Sequence, residues 1–364
     1  MKIGFYLPSS ARVVTGGFKV LFEYADYLAG EGHEIVLYYD LSFSFKNHNI
    51  NNIFLKKIYG KYCEKRHPQW YKFKNKVKKY AIYKNTQVKD GDIIICSQAF
   101  TPKLVKELSP SKGEKVYIIQ DYENWFVSDA ELLSTYKMGM TNIVVSTWLK
   151  QIVDKQASMP SFCIPNGINI NIFKPLPNVE RIRHSICFHY RSEFYKGSDI
   201  AIKVIEIIKK RYDDLIVHVI GIQSEVELPS YCVYHHNITP SEIARINNSI
   251  QVFLCTSRDE GYGLPGLEAM ACGTALVSTG YKGVFEYAID YNETTGEGNA
   301  LICNIDDVDS LVNKIVTLFE NESLYQKITR NGIMQAGTMS IEHQGKMLEN
   351  ILLSIRKKGY ENNT

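Results

Sequence analysis

Short apolar runs alternate with helical segments along almost the whole sequence, and this alternation limits the fold more than any other feature. The runs "KIGFYLP" and "HEIVLYY" flank the segment "GGFKVLFEYADYLAGEG", in which apolar residues recur at helical spacing. Three further strand-like runs follow, "DIIIC", "VYIIQ" and "NIVVS". Strands that alternate with amphipathic helices are typical of the α/β class, with a doubly wound parallel sheet.

A second α/β series follows a proline-rich seam. The segment "SFCIPNGININIFKPLPNVER" contains Pro165, Pro175 and Pro177, and its weak periodicity predicts an interdomain linker. Beyond it, the runs "SICFHY", "LIVHVIG", "QVFLCTS" and "ALVS" again alternate with helical segments. Since single cores seldom exceed roughly 250–300 residues, a chain of 364 residues fits two domains. We predict an N-terminal domain over 1–168, a C-terminal domain over 169–340 and a final helix within 341–364.

Composition excludes several classes of protein. The net charge of +3 is too small to indicate a nucleic-acid partner. The eight cysteines show no C-x-x-C spacing and the nine histidines no metal-ligand spacing, so we predict no metal site and buried thiols in a reducing compartment. The N-terminus lacks the apolar core of a signal peptide, and no apolar run approaches about 18 residues. We therefore expect a cytoplasmic protein.

One segment differs from the rest in composition. From Lys56 to Lys84 there are eleven lysines and arginines but a single acid, Glu64, and aromatic residues are interleaved among them. Cations are attracted to anionic lipid, and aromatic rings suit the level of the lipid headgroups. We hypothesise that this part of the first domain docks on an anionic membrane surface, which makes the protein peripheral at the inner face of the membrane. The alternative is a solvated helix face.

The segment "RDEGYGLPGLEAMACG" has the pattern of a ligand-binding turn. It follows the run "QVFLCTS", its glycines let a ligand approach the backbone closely, and Pro265 suits the first position of a helix. A helix that begins after a parallel strand presents N–H groups and the positive end of its dipole. The pattern therefore predicts a turn that receives a phosphate group.

Two carboxylates, Glu260 and Glu268, lie around this turn. A carboxylate only accepts hydrogen bonds, and its two oxygens can bind a vicinal diol. A nucleotide sugar has hydroxyl groups at both ends and a diphosphate between them, so one glutamate can hold the transferred sugar and the other the ribose. The alternative is that Glu268 merely favours the first turns of a helix.

Two cations, Arg191 and Lys196, lie in "HYRSEFYKGSD", on the loop after the first strand of the second series. A diphosphate leaving group needs cations that neutralise its growing charge, and arginine supplies a rigid fork of donors while lysine supplies a point charge. Alone, two basic residues on a loop are usually solvated. The glutamate pair at a neighbouring strand end favours the functional interpretation.

Together these motifs resemble those of the retaining nucleotide-sugar glycosyltransferases of family 4. Their Glu-x7-Glu motif matches Glu260 and Glu268, and their Arg-x4-Lys pair matches Arg191 and Lys196. Their "PNG" entry to the second domain matches residues 165–167, and their di-glycine loop matches Gly16 and Gly17. Their G-V-x-E turn matches Gly283, Val284 and Glu286. The resemblance implies a GT-B fold, in which two Rossmann-like domains face each other across a central cleft. It also implies a C-terminal helix that crosses back to the first, acceptor-binding domain.

The resemblance further implies roles for individual residues. Glu260 holds the hydroxyl groups of the donor sugar, Glu268 binds the ribose, and Arg191 and Lys196 bind the diphosphate. Further substrate contacts are expected from Gly16, Gly17, Arg258, Gly261, Tyr262, Gly263 and Leu264. No metal or other cofactor is expected, because the cations and helix N-termini take its place at the diphosphate.

The chain departs from the family pattern after the run "VYIIQ". Many relatives carry a histidine there that is thought to reach the 6-hydroxyl of the sugar, whereas this chain has Gln120 followed by Asp121. Asp121 is a candidate catalytic group on the acceptor side, with a helix or turn cap as the alternative. A 6-deoxy sugar lacks that hydroxyl, and "YIIQDYE" also resembles bacterial surface-polysaccharide rhamnosyltransferases. These features favour dTDP-rhamnose as the donor, with a UDP-hexose as the rival because deoxythymidine lacks the ribose 2′-hydroxyl.

We therefore predict a retaining hexosyltransferase that acts on a glycan or lipid-linked acceptor in bacterial surface polysaccharide synthesis. Two alternatives remain, a nucleotide-sugar epimerase of the same fold, whose acid–base chemistry acts on the sugar ring, and a non-catalytic partner that only binds sugar. An epimerase gives no reason for the basic-aromatic segment. A non-catalytic partner has no need of Arg191, Lys196 and Glu260.

Overall fold

The computed structural model describes residues 1–361 and divides them into two compact units. The first unit comprises Met1–Gly167 together with the C-terminal segment from Ile341, and the second comprises Ile168–Ser340. The boundary predicted after residue 168 lies one residue from this division. Within the second unit, the chain enters and leaves side by side, because the Ile168 N–H donates to the Met339 carbonyl oxygen at 2.9 Å.

The first unit is built on a seven-stranded sheet. Its strands are β1 (Lys2–Leu7), β2 (Glu34–Asp40), β3 (Val77–Ile82), β4 (Ile93–Ser97), β5 (Glu114–Ile119), β6 (Thr141–Val144) and β7 (Phe162–Cys163). They lie in the order β3-β2-β1-β4-β5-β6-β7, and every neighbouring pair is parallel. This order is that of a Rossmann-like fold, and it brings the carboxyl ends of all the strands to one edge.

Six helices connect these strands. They are α1 (Gly16–Gly30), α2 (Ser42–Asn47), α3 (Ile53–Arg66), α4 (Thr101–Lys106), α5 (Asp129–Tyr136) and α6 (Thr147–Asp154). Helix α1 shows how the sequence sets these boundaries. The Thr15 hydroxyl accepts a hydrogen bond from the Phe18 N–H (3.3 Å) at the first turn, and the helix ends at Gly30.

The second unit repeats the architecture. Its strands are β8 (Ile182–His189), β9 (Ile216–Gly221), β10 (Cys232–His236), β11 (Ile250–Cys255), β12 (Ala275–Thr279) and β13 (Leu301–Cys303). They form a parallel sheet in the order β10-β9-β8-β11-β12-β13. Its helices are α7 (Ser198–Arg211), α8 (Pro240–Ser249), α9 (Leu264–Ala271), α10 (Val308–Glu320) and α11 (Glu322–Gly337). The predicted α/β class, with two parallel sheets, is confirmed.

The C-terminal helix α12 (Ile341–Glu361) belongs to the first unit, where it packs on α1 and β5. The His33 Nε2 atom lies 3.0 Å from Glu349 Oε1, and Arg356 Nε lies 3.3 Å from Asp92 Oδ1. Among the helices within 1–361, none is long and apolar enough to cross a membrane.

The basic-aromatic segment is not one uniform surface. Its middle part packs inward, since the rings of Trp70, Tyr71 and Phe73 all lie 5.4–5.5 Å from the ring of Phe22 in α1. Its last part forms the edge strand β3, and its first part lies in α3. These three aromatic side chains therefore stabilise the first unit, whereas the sequence analysis placed them at the level of lipid headgroups.

Candidate active site

The turn between β11 and α9 is held in place by a pair of buried tyrosines. Gly263 adopts a φ of +90°, in the left-handed region, and a Cβ on it would lie 1.9 Å from the Tyr281 hydroxyl oxygen. The Tyr287 hydroxyl donates to the Gly263 carbonyl oxygen (2.8 Å) and lies 2.9 Å from the Tyr281 hydroxyl. The path of this predicted ligand-binding turn therefore requires glycine at position 263.

The loop that begins with Glu260 also contacts the turn after β12. A Cβ on Gly283 would lie within 2.6–2.7 Å of backbone atoms of Glu260, Gly261 and Tyr262. Gly283 belongs to the short 3₁₀ helix Lys282–Glu286, which contains the G-V-x-E motif. The absence of a side chain at position 283 lets two backbones meet and fixes the direction of the Glu260 loop.

A third loop, which follows β8, packs against the end of β11. Gly197 has a φ of +67°, and a Cβ on it would lie 1.9 Å from the Thr256 carbonyl oxygen. The Thr256 hydroxyl donates to the Gly197 carbonyl oxygen (2.7 Å), and the Arg258 N–H donates to the Tyr195 carbonyl oxygen (2.7 Å). Because β8 and β11 are neighbours in the sheet, these contacts join the loops that carry the predicted cations and Glu260.

These contacts bring two predicted catalytic side chains together. Lys196 Nζ lies 3.1 Å from Glu260 Oε1, and about a fifth of each side chain is exposed (22% and 21%). The Ser257 hydroxyl donates to Glu260 Oε2 at 3.1 Å, a contact that the sequence analysis missed. The carboxylate is thus oriented from two sides while the pair stays accessible to a ligand.

Arg191 contributes a second cation to this edge of the sheet. Its backbone N–H donates to Ser198 Oγ (2.9 Å), and its Nη1 donates to the Tyr190 carbonyl oxygen (2.8 Å). Burial lowers the pKa of the Arg191 guanidinium, while the carboxylates of Glu193 and Glu260 oppose that shift. An arginine stays charged under these conditions, and a partly buried cation beside Glu260 is suited to bind an anion.

Arg258 organises the loops around this cluster. Its guanidinium binds both carboxylate oxygens of Asp199 (2.9 and 2.8 Å), and its Nε donates to Asp306 Oδ1 (2.7 Å). Nη1 also donates to the Phe194 carbonyl oxygen at 2.6 Å. The hydrogen bond from Arg258 lowers the pKa of the Asp199 carboxyl group. The structure thus shows Arg258 as a positioning residue for the 194–199 loop, and the direct substrate contact predicted for it stays a prediction.

Glu268 and Tyr262 are buried in the same unit. Glu268 lies in α9 and is 4% exposed, and Tyr262 is 3% exposed. The Tyr262 hydroxyl donates to the sulfur of Met339 at 3.6 Å, so this side chain is held within the unit, and the substrate contact of Tyr262 stays a prediction. Leu264 is the first residue of α9. The ribose contact of Glu268 stays a prediction.

The remaining predicted residues lie in the first unit, at the carboxyl ends of its strands. The Gln120 side-chain amide donates to the Gly17 carbonyl oxygen (3.2 Å) and to Ser97 Oγ (3.0 Å), so it joins α1, β4 and β5. A Cβ on Gly16 would meet nothing within 4 Å. Asp121 Oδ1 accepts from the Tyr122 N–H at 2.8 Å, and the acceptor-side role of Asp121 stays a prediction.

Sequence analysis missed a partly buried acid, Glu123, beside these residues. Glu123 Oε2 accepts a hydrogen bond from the Ala99 N–H at 2.7 Å and ties the loop after β5 to the loop after β4. Burial raises the pKa of Glu123 to about 7; the Ala99 hydrogen bond opposes the shift and the Asp121 charge adds to it. The aromatic side chains of these two loops are half exposed and contact one another at ring distances of 6.0 Å: Phe100, Trp125 and Phe126. The run of aromatic residues in "DYENWF" was the available signal.

Two Rossmann-like units, each built on a parallel sheet, are the architecture of the GT-B glycosyltransferases. Residues 178–335 match the family described as glycosyl transferases group 1. The chain is 27% identical, over 275 residues, to an uncharacterised glycosyltransferase of Methanocaldococcus jannaschii, a match that covers 70% of this chain and 73% of that protein. These two findings identify the chain as a glycosyl-transferring enzyme.

Solved structures agree with this fold. The chain is similar to sucrose-phosphate synthase of Thermosynechococcus elongatus, with a TM-score of 0.74 at 12% identity over 98% of this chain and 99% of that one. It is also similar to HepE of Anabaena in complex with UDP and glucose, with a TM-score of 0.70 at 16% identity over 97% and 100% of the two chains.

Proposed function

We propose that the enzyme transfers a hexosyl group from a UDP-linked sugar to a glycan or lipid-linked acceptor, with retention at the anomeric carbon. The observation that carries this proposal is the Lys196–Glu260 pair, whose side chains lie 3.1 Å apart on the loops that follow β8 and β11. It joins a hydrogen-bond acceptor for sugar hydroxyls to a cation for the diphosphate. Arg191 supplies the second cation.

The cations act on the leaving group. As the bond between the anomeric carbon and the phosphate oxygen breaks, negative charge grows on the diphosphate, and Arg191, Lys196 and the N-terminus of α9 stabilise it. The acceptor oxygen forms its new bond on the same face of the sugar and gives its proton to the departing phosphate oxygen. Glu260 holds the sugar hydroxyls during this exchange, and the resemblance to family 4 supports retention.

Uridine is favoured as the base of the donor. A structural neighbour, HepE, has been solved with UDP and with UDP-glucose. Glu268 binds both hydroxyl groups of a ribose in this proposal, whereas deoxythymidine offers only the 3′-hydroxyl. The expectation of dTDP-rhamnose rested on Gln120, whose amide contacts Gly17 and Ser97, and on the resemblance of "YIIQDYE" to bacterial rhamnosyltransferases. We therefore place dTDP-rhamnose second.

The acceptor is assigned to the first unit. Gln120 and Asp121 lie at the carboxyl edge of its sheet, and the contacting rings of Phe100, Trp125 and Phe126 lie on the loops that follow β4 and β5. Flat apolar rings with a neighbouring carboxylate and amide suit a sugar acceptor, which has apolar faces and hydroxyl edges. This chemistry supports a glycan or lipid-linked acceptor, and the product in this proposal is a bacterial surface polysaccharide.

Product analysis tests the proposal. Purified enzyme is incubated with an extract of lipid-linked glycans and, in separate reactions, UDP-glucose, UDP-galactose, UDP-N-acetylglucosamine and dTDP-rhamnose, and nucleotide release and product mass are measured. We expect turnover with a UDP-hexose that EDTA leaves unchanged and that Glu260→Gln lowers. Turnover with dTDP-rhamnose but with none of the UDP sugars would overturn the donor assignment. Isomerised nucleotide sugar without a heavier acceptor product would indicate the epimerase.

A further inference from the structure

Helix α3 presents an outward face that combines bulky apolar side chains with cations. The exposed apolar residues of α3 and the preceding α2 include Phe43, Ile53 and Phe54, which are 68%, 61% and 69% exposed. Leu55, Ile58 and Tyr62 are also exposed. Single exposed apolar residues are ordinary, but six within twenty residues mark an interaction surface.

The orientation of α3 is fixed by its inner face. Asn52 caps the helix by accepting hydrogen bonds from the Phe54 and Leu55 N–H groups (2.8 and 3.3 Å). Cys63 is fully buried, and a Cβ on Gly60 would lie 3.1 Å from the Cβ of Ala81 in β3. With Gly60 and Cys63 against the sheet, helical geometry turns Phe54, Ile58 and Lys65 away from it.

The charges on this face have one sign. Residues 42–66 contain six lysines and arginines and one acid, Glu64. That carboxylate is used within the unit, because it accepts from the Ala81 N–H (3.0 Å) and pairs with Lys61 (2.6 Å). The exposed cations Lys57, Lys65 and Arg66 stand beside the apolar side chains.

We infer that the outward face of α3 inserts its apolar side chains into the surface of an anionic lipid bilayer. Exposed apolar side chains can enter the interfacial region of a bilayer while neighbouring lysines and arginines meet its anionic headgroups. A protein partner with an acidic groove is the competing occupant. The inference deepens the proposed function, since a surface-bound enzyme reaches a lipid-linked acceptor directly.

Vesicle co-sedimentation of the full-length chain tests this inference, with phosphatidylcholine vesicles compared with vesicles that contain equal phosphatidylcholine and phosphatidylglycerol. We expect binding to the anionic vesicles only. Substituting Phe54 and Ile58 by serine, or Lys57, Lys65 and Arg66 by alanine, should each lower the partition coefficient by about 100-fold. All five side chains are exposed, so circular dichroism should stay unchanged.

The matched control lies in the same basic segment. Lys72, Lys74 and Lys76 are equally exposed but lie on the loop before β3, and their replacement by alanine should change binding by less than about threefold. Equal losses in the two triple variants would overturn the assignment to α3. Wild-type binding by the Phe54 and Ile58 variant, or no binding to anionic vesicles, would overturn insertion. The readout needs no donor sugar, so its failure is distinct from a failure of the proposed function.

Discussion

Lys196 Nζ and Glu260 Oε1 lie 3.1 Å apart, on loops that follow two neighbouring parallel strands. The cation assigned to the diphosphate is therefore coupled to the carboxylate assigned to the sugar before any donor binds. Replacing either partner with alanine should lower kcat by about 10²–10³. The fall in kcat of the double variant should be much smaller than the product of the two single falls, because the effects of residues that act as a unit are not additive. Multiplicative losses in a double-mutant cycle would contradict the coupling.

We expect Gly263 to be required for stability and Gly16 for activity. Gly263→Ala should lower the melting temperature of the second unit, because the new Cβ would lie 1.9 Å from the Tyr281 hydroxyl at a φ of +90°. Adding Tyr281→Phe should recover part of that loss. Gly16→Ala meets open space and should leave the melting temperature unchanged, yet lower turnover if a ligand approaches this backbone. Full activity of Gly16→Ala would remove Gly16 from the predicted site.

Arg258→Lys tests positioning against direct contact. Lysine cannot reproduce the two-point bond to Asp199 together with the bonds to Asp306 and the Phe194 carbonyl oxygen. The loop that carries Lys196 should loosen, and we expect both UDP affinity and kcat/KM to fall by about tenfold. The control Asp306→Asn leaves the Asp199 bond in place and should stay within about twofold. Normal UDP affinity with lost turnover would instead indicate contact with the transferred sugar.

Sequence patterns predicted five of the seven strands of the first unit and four of the six strands of the second, and they worked best where the interacting segments are adjacent in the chain. The strand β11, the glycine turn and α9 are adjacent in sequence, so the Glu260 site followed from local rules. Its partners Tyr281 and Tyr287 lie beyond the next strand, and no local pattern shows that they contact Gly263. Strand β3 was hidden because "VKKYAI" is an edge strand rich in lysine, which looks like a solvated face.

Glu123 was missed because no local pattern shows that its carboxylate accepts a hydrogen bond from the Ala99 N–H, and its shifted pKa predicts a pH effect. Its pKa is raised to about 7, so the folded state binds a proton that the unfolded state releases at about pH 4.3. The free energy of unfolding of the first unit should therefore decrease as pH rises from about 4 to 7, by up to about 3 kcal/mol. Glu123→Gln should remove this contribution and be the more stable protein at pH 8.

Tryptophan fluorescence during urea unfolding measures this effect selectively, because Trp70, Trp125 and Trp148 all lie in the first unit. The exposed Glu107→Gln is the control and should track the wild type at every pH. If the difference in the free energy of unfolding between Glu123→Gln and the wild type does not vary between pH 4 and 8, Glu123 does not titrate in this range.

Calorimetric titration of UDP into the wild type, Arg191→Ala and Lys196→Ala tests the central claim most directly. The account predicts that UDP binds the wild type at least about tenfold more tightly than dTDP, a difference of about 1.4 kcal/mol. Each variant should lose about 10- to 100-fold in UDP affinity, since each removes a charge-assisted hydrogen bond to the diphosphate. UDP affinity that is the same in all three proteins would contradict the account.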